Sequence, residues 1–162
     1  MDQQGPVRVL FVCLGNICRS PTAHGIFAQL VEKAGLSGRI EVESAGTSAF
    51  HVGEAPDPRS TAEAARRGVP LRSRARQLVA ADLDHFDWIL AMDRDNLSRI
   101  RRLASDRPTR ARIELLRERE APGAQRDVPD PYAGGPAGFR EVFDMCDHNC
   151  RLLLDQIRAN LP

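Results

Sequence analysis

Residues 7–21, Val7-Arg8-Val9-Leu10-Phe11-Val12-Cys13-Leu14-Gly15-Asn16-Ile17-Cys18-Arg19-Ser20-Pro21, decide how the rest of the chain is read. Val7–Val12 is an apolar, valine-rich run of the length and composition of a buried strand. Gly15 and Asn16 tolerate the positive φ values that a tight loop needs. Ser20-Pro21 is a fitting helix start. A loop curled between strand and helix turns successive backbone N–H groups inward as an anion-binding nest. The helix adds the positive end of its dipole to the same spot. Cys13 and Arg19 stand there, six positions apart. The planar fork of Arg19 can clamp two oxygens of a phosphate, and the same field favours the thiolate of Cys13. A thiolate against a bound phosphoryl group implies nucleophilic phosphoryl transfer through a phosphocysteine. A Cys and an Arg at this spacing form a weak pattern alone, in a chain with four Cys. The strand before them and the helix after them give the pattern its meaning.

Outward from this loop, Pro21–Ala34 has Ile26, Phe27, Leu30 and Val31 at helical spacing and stops at Gly35. Ile40–Ser44 reads as a second strand, Ala45–Pro58 as a loop, and Ser60–Arg67 as a helix stopped by Gly68 and Pro70. Trp88–Met92 is a third apolar strand, Leu97–Leu103 a helix, and Ile113–Leu116 a short fourth strand. Ala121–Gly138 is a long Pro- and Gly-rich loop of the kind that carries function in a compact domain. Phe139, Phe143, Cys146, Cys150, Leu153, Ile157 and Leu161 then form one stripe of a long amphipathic helix. Strands alternating with helices predict an α/β fold, a parallel sheet with helices on both faces and right-handed crossovers.

The 162 residues suit one domain, 1–162, with an ordinary 42% hydrophobic and 28% charged content. The net charge of +1 gives no support to a nucleic-acid partner. Lys33 is the sole lysine. The basic stretch Arg94–Arg119 reads as a solvated face balanced by Asp95, Asp106, Glu114 and Glu118. No stretch is long enough to span a bilayer, and MDQQGPVR has no signal-peptide core. A cytoplasmic location, without membrane partners, is therefore expected, and a nucleophilic thiol suits a reducing compartment.

Val12–Pro21, together with Glu43-Ser44-Ala45-Gly46-Thr47, Ala75-Arg76-Gln77-Leu78, Ala91-Met92-Asp93 and Val128-Pro129-Asp130-Pro131-Tyr132, resembles the low-molecular-weight protein tyrosine phosphatases. The likeness spans about Val7 to Leu161. It implies a flavodoxin-like three-layer sandwich with four parallel strands ordered 2-1-3-4, with the site at the carboxyl end of the first strand. It implies phosphotyrosine as substrate, with Leu14, Gly15, Asn16, Ile17, Cys18 and Ser20 around the phosphate. No cofactor and no metal are expected. Asn16, Ser20 and Ser44 are implied as supports of the loop, and Ser20 also as support for the thiolate. Some relatives place a histidine shortly before Ala-Arg-Gln, where this chain has Ser73. Relatives in bacteria often pair with tyrosine kinases of polysaccharide export, which makes such a kinase a candidate partner.

A phenol leaving group needs a proton donor. Spacing cannot choose among the carboxylates and four His, although Pro129 and Pro131 stiffen Asp130; an Asp-Pro turn is the bland account of the same residues. The resemblance implies Asp130 as the general acid, with Asp127 as the fallback. Phe50 and Tyr132 are candidate walls of an aromatic slot; many relatives carry a second aromatic after Tyr132, where this chain has Ala133, so the resemblance implies a slot open on one rim. Cys18 is a candidate resolving thiol for oxidised Cys13. Three alternatives compete. An arsenate reductase of this fold would need shuttle cysteines between Cys18 and Cys146, where the sequence has none. An arginine phosphatase of this type carries Thr where this chain has Ile17. A zinc or redox module would use Cys146, His148 and Cys150, but His148 is rotated roughly 200° from Cys146 on a helix. His24, His51 and His85 show no ligand spacing.

Overall fold

In the computed structural model, which describes residues 5–105 and 107–162, the apolar run after Pro6 forms strand β1 (Val7–Cys13) at the heart of a sheet. β2 (Ile40–Gly46) lies on one side of it and β3 (Trp88–Ala91) on the other, with β4 (Arg112–Leu115) beyond. All pairings are parallel, in the order β2-β1-β3-β4. This is the order that the family resemblance implied.

Alternation along β1 gives the sheet two cores. Val9, Phe11 and Cys13 point into the larger one, under α1 (Arg19–Lys33), α2 (Pro58–Arg66) and α5 (Pro136–Ala159). There the Phe11 and Phe27 rings meet edge to face, their centroids 5.6 Å apart. Leu10 and Val12 point the other way, towards Leu83 of α3 (Asp82–His85) and Ile100 of α4 (Arg94–Leu103). A single 3₁₀ turn, Leu116–Glu118, follows β4.

Some boundaries differ from expectation, each for a local reason. α1 starts at Arg19, with Cys18 at the N-cap and no side-chain capping bond. Ser20 is therefore not the cap; its hydroxyl is taken up by Cys13 and Asn16. α3 is four residues long, too short to leave a periodic signature. β4 lies one residue earlier than its apolar run suggested. α5 ends at Ala159, so Leu161 reaches the core from beyond the helix.

The arginine-rich stretch is only partly self-paired, since Arg94, Arg107, Arg110 and Arg117 reach Asp127, Asp84, Asp87 and Glu120 outside it. Arg99 meets Asp95 at 3.1 Å, Arg112 meets Glu114 at 2.8 Å, and Arg119 also binds Glu114. Glu118 instead accepts the Gly123 N–H, and Asp106 lies outside the described residues. No helix among the described residues is long and apolar enough to cross a membrane.

Candidate active site

β1 delivers Cys13 to the carboxyl edge of the sheet, and residues 14–18 turn the chain back into α1. The segment after β2 braces that turn: Thr47 N–H donates to Cys13 O at 2.9 Å and Ser48 N–H to Leu14 O at 3.0 Å. The backbones pass so closely that a Cβ on Gly46 would lie 2.7 Å from Leu14 O. Asn16 takes φ 57°, the left-handed region that its short polar side chain tolerates. That side chain, 1% exposed, is held at both ends. Its Nδ2 donates to Ser20 Oγ at 2.8 Å, and its Oδ1 accepts the Arg76 N–H at 3.0 Å.

Two donors face the sulfur. Asn16 N–H lies 3.2 Å from Cys13 Sγ, and Ser20 Oγ lies 3.0 Å from it. Both stabilise negative charge there. Arg19 is 2% exposed. Its Nη1 donates to Asp93 Oδ2 at 2.6 Å and to Val128 O at 2.9 Å, while Nη2 lies 3.7 Å from Asp130 Oδ2. One edge of the guanidinium is thus held by the protein while Nη2 lies on the side of Asp130. Burial works against its charge, but the Cys13 thiolate, Asp93 and Asp130 outweigh burial and raise its pKa.

Cys13, Leu14, Gly15, Ile17, Cys18, Arg19, Phe50, Asp130 and Tyr132 line one cavity of about 260 Å³. Asn16 and Ser20 are buried beside its floor. Ser44 is set further back, its hydroxyl 3.0 Å from His24 Nδ1 rather than bonded to the loop. Asp130 is about half exposed, and its Oδ1 accepts the Tyr132 N–H at 3.0 Å. Asp127, the fallback donor, is held by Arg94 through contacts of 2.9–3.3 Å and does not line the cavity. Phe50 is 86% exposed and Tyr132 50%. Between them stands His51, its ring centroid 5.2 Å from Phe50 and 6.2 Å from Tyr132, anchored to Glu54 at 3.0 Å. Burial, with Asp57 next in effect, pushes the Cys18 thiol up to about 12.

Several contributors escaped the sequence reading. Asp93 was visible in Ala91-Met92-Asp93, a carboxylate at the end of the strand beside β1, but nothing in the sequence tied it to Arg19. His51 adjoins Phe50, which was a usable hint. Arg59 gave no signal. It chelates Asp57 at 3.0–3.1 Å, donates to Tyr132 O at 2.8 Å and stacks 4.6 Å over the Phe139 ring. Asp57 in turn donates its N–H to Ile17 O at 2.8 Å. This clip joins the loop of residues 14–18 to the loop carrying Asp130. Cys146 and Cys150 are fully buried in the larger core, and burial raises both thiols. Among the described residues, no three His, Cys, Asp or Glu side chains group as metal ligands.

A thiol and a guanidinium on one cavity, at the carboxyl end of a doubly wound parallel sheet, fit the class of thiol-dependent phosphatases. The chain belongs to the low molecular weight phosphotyrosine protein phosphatase family, whose model matches residues 8–162. It is 45% identical over 138 residues to the low molecular weight phosphotyrosine protein phosphatase of Schizosaccharomyces pombe, covering 85% of this chain and 88% of that protein. The crystal structure of YfkJ from Bacillus subtilis superposes with a TM-score of 0.90 at 37% identity, covering 99% of this chain and 100% of that one. A Drosophila protein described as an arginine phosphatase superposes with a TM-score of 0.88 at 31% identity, covering 94% and 99%.

Proposed function

We propose that this chain hydrolyses phosphotyrosine in proteins through a phosphocysteine on Cys13. The observation that carries the reading is the convergence of Cys13 Sγ, Arg19 and Asp130 on one small cavity. The Cys13 thiolate attacks phosphorus while Arg19 holds the phosphoryl oxygens. The P–O bond to the phenol breaks as Asp130 gives its proton to the departing oxygen. Asp130, now a carboxylate, takes a proton from water, which attacks the phosphocysteine. The P–S bond breaks, inorganic phosphate forms, and Ser20 and the Asn16 N–H receive the returning thiolate charge. Phe50, His51 and Tyr132 flank the tyrosyl ring.

Cys18, on the same cavity as Cys13, is the candidate resolving thiol, reacting through the small thiolate fraction that its burial leaves. Peroxide oxidises Cys13 to a sulfenic acid, and Cys18 displaces water to leave a disulfide that a dithiol can reduce. A cytoplasmic location suits this chemistry, because both thiols must be kept reduced.

A panel of phosphotyrosine, phosphoserine and phosphoarginine peptides, with an autophosphorylated tyrosine kinase as a protein substrate, tests the reading. Phosphotyrosine should be cleaved fastest, and Cys13→Ser should abolish turnover while retaining phosphate binding. Faster cleavage of phosphoarginine would overturn the substrate assignment, because Ile17 offers a guanidinium no hydroxyl. Retained turnover in Cys13→Ser would overturn the mechanism.

A further inference from the structure

We propose that His24 is a positioning residue for the phosphate loop, acting through Ser44 of β2; this rests on the reading of the loop as the site of phosphoryl transfer. His24 lies one turn beyond Ser20 on α1, so the two side chains leave the same face of the helix. Ser20 Oγ, already bonded to Cys13 and Asn16, lies 3.5 Å from Ala45 O. His24 Nδ1 lies 3.0 Å from Ser44 Oγ. Ser44 and Ala45 are consecutive residues of β2, paired with Phe11 and Val12 of β1. Two side chains on successive turns of α1 therefore fasten it to two successive residues of the sheet. The helix turn so fastened carries Arg19 and Ser20. The Ser20–Ala45 contact is at the limit of a hydrogen bond, which leaves the His24–Ser44 bond as the stronger tie.

The surroundings of His24 suit this use. Gly25 lets the chain at 69–71 press directly on α1. A Cβ there would come 2.5 Å from Leu71 Cδ2 and 3.2 Å from Pro70 O. Burial lowers the His24 pKa from 6.5 to about 4, so the ring is neutral at neutral pH. Glu32 and Arg72 are the charged residues that share its groove. Ser73, where the family resemblance led one to expect an imidazole, lines the same groove as His24. Here the imidazole reaches the sheet from the helix side.

The test compares wild type with His24→Ala, His24→Asn, Ser44→Ala and the double variant His24→Ala/Ser44→Ala. Three readouts are taken: kcat and KM on an aryl phosphate, calorimetric affinity for inorganic phosphate, and urea stability. His24→Ala should lower kcat and phosphate affinity each about five- to tenfold, the scale of one lost hydrogen bond. His24→Asn should recover most of both, since its amide can reach the place of Nδ1. The double variant should be no worse than the worse single variant, because one tie is being cut twice. Retention of both quantities within about twofold in His24→Ala would overturn the proposal, as would additive losses in the double variant. So would equal losses in His24→Ala and His24→Asn. If wild type binds phosphate but leaves phosphotyrosine uncleaved, the functional reading falls alone. The phosphate affinities then still decide the role of His24.

Discussion

Removing the charge of Asp93 is the sharpest test of how Arg19 is held. The guanidinium is 2% exposed, and its shortest bond is the 2.6 Å contact to Asp93 Oδ2. The other Asp93 oxygen caps α4, accepting the Asn96 N–H at 2.7 Å. Asp93→Asn keeps a capping side chain and deletes the ion pair, whereas Asp93→Ala deletes both. Breaking a buried pair costs about 3–5 kcal/mol. The Asp93 side chain is 20% exposed and Val128 O still accepts from Arg19, so the lower end applies. Asp93→Asn should therefore lose about 3 kcal/mol in urea unfolding, and Asp93→Ala about 1 kcal/mol more for the cap. A phosphate ion in the cavity offers the stranded guanidinium a new partner. Saturating phosphate should consequently stabilise the Asn variant more than wild type. Turnover should fall at least tenfold, as Arg19 loses its fixed orientation. An Asn variant within 1 kcal/mol of wild type, with unchanged turnover and no extra gain from phosphate, would refute the reasoning.

Asp130→Asn should slow cleavage of a poor phenol leaving group by ~10²–10⁴-fold and that of an activated one far less, because a good leaving group needs no proton. Equal losses across a leaving-group series would instead make Asp130 a loop residue. Arg19→Lys should be severely damaging despite the retained charge, since an ammonium cannot bond Asp93, Val128 O and substrate with one planar fork; near-normal kinetics would contradict this. The lowered pKa of His24 makes stability pH-dependent: below pH 6.5 the unfolded chain takes up a proton that the folded chain resists until about pH 4. Stability from this group is thus complete above 6.5 and declines as the pH falls to 4, by up to about 3 kcal/mol. Urea midpoints at pH 7 and pH 4.5 should converge in His24→Asn, and an undiminished difference there would remove His24 as the cause.

What the sequence made legible follows the range of the forces involved. Val7–Val12 announces a central strand because both faces of Val9–Val12 are buried, and the unbroken apolar run Val9–Val12 records that. Cys13 and Arg19 could be paired because a single loop spaces them. Asp130 needed the family resemblance, since Pro129 and Pro131 mark stiffness and not chemistry. Asp93 lies 74 positions from Arg19 in the chain, and Arg59 lies 73 from Tyr132. Folding alone brings those partners together, and each reads locally as something plainer, a helix cap and a surface arginine. His24 looks like any polar residue within a helix until Ser44 comes alongside.

The alternation of β1 has a consequence for engineering the molecule. Cys13 shares a sheet face with Val9 and Phe11, so the reacting sulfur continues the larger core rather than standing apart from it. A methylene added or removed near Phe27 or Phe143 can shift the floor beneath Sγ. Leu10, Val12, Ile89 and Ile100 fill the opposite face and do not pack in the core that holds the sulfur. Heat tolerance is best sought by repacking that second side away from Asp93, the cap of α4 that also holds Arg19.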